Sequence, residues 1–255
     1  MREARDHIIK MLDKGFRLDS RKEDEFREVK VEKGVVPNSE GSAKVCFGDT
    51  EVIAGVKMSL EKPYPDCPDR GNISVNVELL PLSSPRYEPG PPQIKAIELA
   101  RVTDRGIRES GAIDVKALCL EPGEKVWTVF IDVCSVNDAG NLADAISLAA
   151  FAAIKDAKFP ELKECMIDYK TKTDKGLPIV EEPIEVTVLK IGNHLIVDPV
   201  VEEEDVLDAR LTVATLPDGK LCAMQKGGDY PLTSEEIEKM IDLATERAKQ
   251  LREYV

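Results

Sequence analysis

The sequence predicts an α+β chain of two similar halves, each with helices packed on a mixed β-sheet. Three observations carry that prediction. Strand-like runs are followed by a helical pattern in both halves, without strict strand–helix alternation. A helix that is apolar nearly all round lies mid-chain, as a helix buried between layers does. Hydrophobic residues make up 42% of 255 residues, enough for a substantial core. The likeness of the halves rests on element order, since no clear sequence repeat is visible.

Residues 2–14 read as a short helix with Ile8, Ile9 and Leu12 on one side and Gly15 as its stop. With the residues up to 26 they form an N-terminal helical extension. A first domain over 27–157 opens with strands at 27–36, 43–48 and 51–59, the last two joined by a Gly48-Asp49 turn. Ile73, Val75, Val77 and Leu79 then alternate as a half-buried strand does. A proline-rich turn feeds a helix bearing Arg101, Arg105 and Arg108, followed by a strand at 125–136. The apolar helix runs from Leu142 to about Asp156 through Ala145, Ile146, Ala149, Ala153 and Ile154.

Residues 158–183, rich in Lys, Glu, Asp and Pro, read as a crossing connection. A second domain over 184–255 has strands at 184–191 and 194–198 about Gly192-Asn193. Further strands near 209–216 and 220–225 flank Asp218-Gly219. The last helix runs from about Ser234 to Glu253, with Thr233 and Glu236 at capping-box spacing.

Charge and composition exclude several functions. The 35 Lys+Arg against 48 Asp+Glu give a net charge of −13, which opposes nonspecific nucleic-acid binding by the whole surface but allows a local basic site or a basic partner. No apolar run approaches the ~20 residues of a membrane span, and the amphipathic start lacks the apolar core of a secretory signal. The six cysteines are scattered without a CxxC pair, so reduced, buried thiols and a cytoplasmic location are expected. His7 and His194 have no close cysteine partner, so no zinc site or other cofactor is expected. Neither GxGxxG nor GxxxxGK[ST] occurs, and two histidines do not support a serine–histidine triad.

Four candidate sites remain. At 100° per residue, Arg101, Arg105 and Arg108 fall within an arc of about 60°, with Ala96, Leu99, Ala100, Thr103 and Ile107 opposite. Such a stripe suits an anionic ligand; equally, Glu98–Arg101 and Arg105–Glu109 ion pairs could account for it. The turn VNDAGNLADA, residues 136–145, opens the apolar helix, and a helix start can hold a phosphate. Asn141 reads there as the N-cap, and Asp144 as a complement to the helix dipole. The run Glu202-Glu203-Glu204-Asp205, with Asp208 beyond, could in principle hold Mg²⁺ but reads as a solvated edge. Asp132, Asp138 and Asp144 form a second possible acid cluster.

Longer stretches carry a resemblance. GFRLDSRKEDEFREVKVEKGVVPNSEGSAKVCFGDTEVIAGVK resembles the opening of an RNase PH-type domain. NVELLPL, EPGPP, IELARVTDRGIRES and EPGEKVWTVFIDV resemble the non-catalytic RNase PH-like subunits of archaeal exosomes, and the likeness extends from Gly15 to the last helix.

The resemblance implies an RNase PH-type fold. It also implies a hexameric ring, a trimer of heterodimers with a catalytic RNase PH-like exosome subunit, that degrades single-stranded RNA from its 3′ end with phosphate as nucleophile. RNA-binding cap subunits sit on one face of such a ring. In active members the turn reads Asp-(Ala or Gly)-Gly-Thr-Arg. Here Asp138-Ala139-Gly140 matches, but Asn141 and Leu142 replace the two phosphate donors.

An active-site arginine of the family appears as Lys95, which loses bidentate geometry. The catalytic aspartate position falls on Arg210; Asp208 lies two residues away, a displacement of about 6.6 Å along a strand. A subunit without catalytic residues is therefore expected, with Arg101 and Arg105 matching the family's RNA-phosphate contacts and Arg108 a weaker candidate. The alternatives are an autonomous phosphate-dependent 3′-to-5′ exoribonuclease using Asp208 or Asp205, and a scaffold without RNA contact.

Overall fold

The computed structural model describes residues 2–163 and 166–255. The first half builds a six-stranded sheet from β1 (Val29–Lys33), β2 (Gly41–Phe47), β3 (Thr50–Glu61), β4 (Asn72–Glu78), β5 (Cys119–Glu121) and β6 (Lys125–Asn137). Its order is β1-β2-β3-β6-β4, with β5 paired to β6. Only β4 runs parallel to its neighbour, which makes this sheet mixed.

The second half has β9 (Ile184–Ile191), β10 (His194–Val197), β11 (Ala209–Thr215) and β12 (Leu221–Gly227) in the order β10-β9-β11-β12. This sheet is antiparallel at every pairing, so mixing is confined to the first half. The short turns at Gly192-Asn193 and Asp218-Gly219 enforce that direction.

Three long helices layer these sheets. The helices α2 (Ile94–Glu109) and α3 (Leu142–Asp156) lie between them, α3 against β2, β3 and β9, and α2 against β4 and β12. The last helix, α5 (Ser234–Arg252), packs on β9 and β11 from the other side. Every residue of α3 from Asp144 to Ile154 is buried, as its all-round apolar pattern predicts. Seven of the eight residues of β9 are buried because the strand has helices on both faces. The even residues Val186 and Val188 join Met240, Ala244 and Leu251 in the core. The odd residues Glu185 and Thr187 face the α2–α3 layer, where Thr187 bonds Thr212 at 2.9 Å.

The helix α1 (Arg2–Leu12) places Ile8 and Leu12 on Leu189, Ile191 and Ile196, a small core of its own. At the start of α5, Thr233 and Glu236 form the predicted capping box.

Three expectations are corrected. The segment expected as a crossing connection, with no strands foreseen in it, carries an antiparallel pair, β7 (Lys158–Lys163) with β8 (Met166–Gly176). The acidic run is not a solvated edge: it forms a short helix, α4 (Val201–Glu204), and Glu203 is buried. The five described cysteines are free but half-buried rather than buried, while Cys165 lies outside the described residues.

Candidate nucleic-acid interface

The α2 helix begins just after Pro91-Pro92 and turns Ala96, Thr103, Gly106 and Ile107 inward. Gly106 gives the Glu185 carboxyl group room against the helix, and a side chain there would have to displace it. The outer face carries the arginines, and their surroundings differ.

Arg108 is spoken for. Its Nε and Nη2 donate to Asp104 at 3.1 and 2.7 Å, and Nη2 also caps the Ile73 carbonyl on the edge strand β4 at 2.9 Å. The expected Glu98–Arg101 pair does not form, because Glu98 accepts from Arg210 at 2.7 Å instead. Nor does Arg105 pair with Glu109. Among the described residues, Arg101 and Arg105 are exposed and make no ion pair or side-chain hydrogen bond. They are uncompensated cations on the outer face of α2.

The turn before α3 is held from below. Gly140 (φ 93°) and Asn141 (φ 57°) are both left-handed, and a Cβ on Gly140 would lie 2.4 Å from the Pro199 carbonyl. Thr50 Oγ1 donates to the Gly140 carbonyl at 2.6 Å, while Arg27 donates to the Ala139 and Gly140 carbonyls at 2.9 and 3.1 Å. Beneath them sits Asp198, fully buried, accepting from Arg21, Arg27 and Asn141 Nδ2. Burial pushes the Asp198 acid up, but its bonds to Arg27 outweigh this and leave it below its usual range.

Asn141 occupies the N-cap position without capping, which corrects the expected role. Its Nδ2 donates to Asp198 at 2.9 Å and to Asp144 at 3.1 Å, so the side chain points into the carboxylates, away from the helix amides. Asp144 stands in the first turn of α3 as expected, where it is fully buried and accepts from the Thr187 amide at 2.8 Å.

The Asn141 backbone N–H donates to Glu204 Oε1 at 2.8 Å. Lys95 lies 4.0 Å from the other Glu204 oxygen and 3.5 Å from Asp138, and it donates to the Tyr87 hydroxyl at 3.0 Å. Tyr87 in turn donates to Asp138. Burial first, and then Asp138, push this phenol up to about 12, so it stays a neutral donor.

Asn141, Glu204 and Lys95 line a cleft of about 240 Å³ with Arg86 and Arg210. Every cation there has an anion beside it: Arg86 with Asp205 at 2.6 Å, Lys95 with Glu204 and Asp138, Arg210 with Glu98. The cleft is charge-compensated.

The remaining acidic candidates are dispersed. Asp208 receives both Arg5 bonds at 2.9 Å and the Gly192 amide at 2.7 Å. Glu203 is held by Arg17 at 3.0 and 2.5 Å. Asp132 is exposed on β6 while Asp144 is buried, so those two do not converge with Asp138. Among the described residues, no three His, Cys, Asp or Glu side chains are placed to hold a metal ion. No described helix is long and apolar enough to cross a membrane.

Sequence reasoning missed Asp198 and Arg27 as site residues, and it considered Glu204 only as part of an acidic run, not as a partner of the turn at Asn141. Their partners are distant along the chain, and the only available signal was the density of arginines at 17, 21 and 27 in an acidic segment.

Asp144 and Glu185 face the α2–α3 layer, and burial pushes each acid up to about 8. Between their ordinary range near 4 and about 8, the folded chain binds more protons than the unfolded one, so stability falls as pH rises through that window. Glu185→Gln is expected to flatten this decline by on the order of 2 kcal/mol. Urea midpoints at pH 6 and pH 9 check it; an unchanged slope counts against a protonated Glu185.

Two sheets around a helical layer, with a glycine turn opening the buried helix and a cleft beside it, form an α+β protein of two domains with a charge-lined groove between its elements. The chain belongs to the 3′ exoribonuclease family: residues 25–160 match its domain 1 and residues 181–247 its domain 2. It is 49% identical to the exosome complex component Rrp42 of Methanocella arvoryzae, covering 98% of this chain and 94% of that protein. To Rrp42 of Archaeoglobus fulgidus it is 47% identical, over 98% and 94% of the two chains.

Among solved structures it superposes on a chain of the Archaeoglobus fulgidus exosome with RNA bound to the active site (TM-score 0.91, 47% identity, 98% and 96% covered). An archaeal exosome core gives a TM-score of 0.87 at 44% identity, with 98% and 95% covered. The family read from the sequence motifs thus holds across both domains.

Proposed function

We propose that this chain is a catalytically silent, RNA-contacting subunit of an archaeal-type exosome. In this reading it alternates with an active RNase PH-like partner in a ring of three heterodimers and completes that partner's site for 3′-to-5′ phosphorolysis. RNA-binding cap subunits cover one face, residues 27–157 and 184–255 act as its two domains, and the assembly is cytoplasmic. The names of its relatives support the exosome assignment.

The observation that carries the silent, RNA-guiding role is a contrast of charge. The cleft beside α3 is neutralised by its own carboxylates and has Arg210 where the family has its catalytic acid, whereas Arg101 and Arg105 are free. A phosphate dianion entering the cleft would meet Glu204 and Asp205; one passing along α2 would meet two unshielded guanidinium groups, which position a strand without reading its bases.

The autonomous-enzyme reading finds no usable acid, because Asp208 is engaged by Arg5 and Asp205 by Arg86. An RNA phosphorolysis assay tests the proposal, with the chain alone and mixed with a catalytic RNase PH-like partner. Nucleoside diphosphate release is expected only from the mixture, and is expected to vanish when the partner's catalytic acid is mutated. Release by the chain alone would overturn the reading.

A further inference from the structure

The start of α3 is already occupied. A long helix opened by a left-handed turn presents unpaired amides and the positive end of its dipole, a ready place for an anion. Here the first free amide, that of Asn141, is taken by a carboxylate delivered from 63 residues further along the chain, with Oε1 at 2.8 Å. The second carboxylate oxygen faces the Lys95 ammonium. A small anion would seek the same amide-plus-ammonium pair of contacts.

The delivery is built, not incidental. The short helix α4 is fixed by its own Glu203, which is buried, clamped by Arg17 and accepts from the Val200 amide at 3.0 Å. With Glu203 turned into the protein, the next residue is carried over the mouth of the α3 turn. Pro199 and Val200 press on Gly140 from the same side, so turn and plug are held together. Burial pushes the Glu204 acid up, with Lys95 and the Asn141 amide opposing that rise.

We propose that Glu204 is an internal stand-in for phosphate, a tethered carboxylate that fills the anion cradle at α3 and keeps inorganic phosphate out of this cleft. The inference deepens the silent-subunit reading and rests on it. A tethered group has an effective concentration well above that of a dilute free ion, so dissolved phosphate competes poorly. Loss of phosphate donors at residues 141 and 142 would then be only half of the silencing; the other half is an occupant.

The test is titration of the full-length chain with inorganic phosphate, followed by calorimetry and ³¹P line broadening. Wild type is compared with Glu204→Ala and with the near-isosteric Glu204→Gln, and circular dichroism reports folding. The Ala variant is expected to bind phosphate at least ~10-fold more tightly than wild type. The Gln variant should fall between them, because its amide can keep the Asn141 bond without the charge; it carries the test should the Ala variant not fold.

No gain in either folded variant, or wild-type binding equal to theirs, would overturn the plug. The silent reading fails separately, on diphosphate release by the wild-type chain. Neither variant is expected to release diphosphates, since Arg210 still stands in place of an acid.

Discussion

Replacing Glu203 by Ala is expected to destabilise the chain by roughly 3–5 kcal/mol, the usual loss when one member of a buried ion pair is removed. Arg17 is 2% exposed and Glu203 1%, and the guanidinium donates to both carboxylate oxygens as well as to the Val197 and Asp198 carbonyls. With Glu203 gone, a charged group stays in the interior with only carbonyl partners. For a chain of this size each kcal/mol moves Tm by roughly 2–4 °C, so a drop on the order of 10 °C is expected. The double change Arg17→Met with Glu203→Leu should recover most of the loss, because it removes both charges and refills the space. Thermal and urea unfolding of the three proteins decide the matter. A single-variant loss below ~1 kcal/mol, the range of exposed pairs, would show that the pair is not buried in solution.

The second large effect concerns RNA. In the assembled complex, Arg101→Glu with Arg105→Glu is expected to weaken RNA binding by roughly tenfold or more and to slow degradation, with assembly intact. Each phosphate contact to a single strand contributes about 0.7 to the slope of log affinity against log salt, so losing two should reduce that slope by about 1.4. The loss should be uniform across RNA sequences, as expected for backbone contacts. Binding isotherms at several salt concentrations provide both numbers. An unchanged slope and affinity would leave the scaffold reading standing and remove the guiding role from α2.

How far the sequence could be read follows from which interactions are local. Alternation of Ile73, Val75, Val77 and Leu79 and the capping box at Thr233 depend on neighbours a few residues apart, and these features are present as expected. The hairpin over 158–176 was hidden because most of its residues are exposed on both faces, so no period of two marks it. Glu203 looked like one more solvated acid because its partner stands 186 residues away. Asn141 has both a donor and an acceptor; composition favours the cap, but two buried acids beside the turn, Asp144 and Asp198, decide in favour of donation. Arg101 and Arg105 were identified by spacing and resemblance, yet their freedom from ion pairs depends on Glu98 turning to Arg210.

The placement of α3 also governs how the molecule comes apart. A helix buried from Asp144 to Ile154 and shared by both sheets has no water-facing side that could survive the departure of either. Removing one half would strip the other of its floor, so the halves are expected to melt as a single cooperative unit, with the amide protons of α3 exchanging only through global unfolding in hydrogen-exchange measurements. A nick in the exposed hairpin between them cuts the chain without freeing either half.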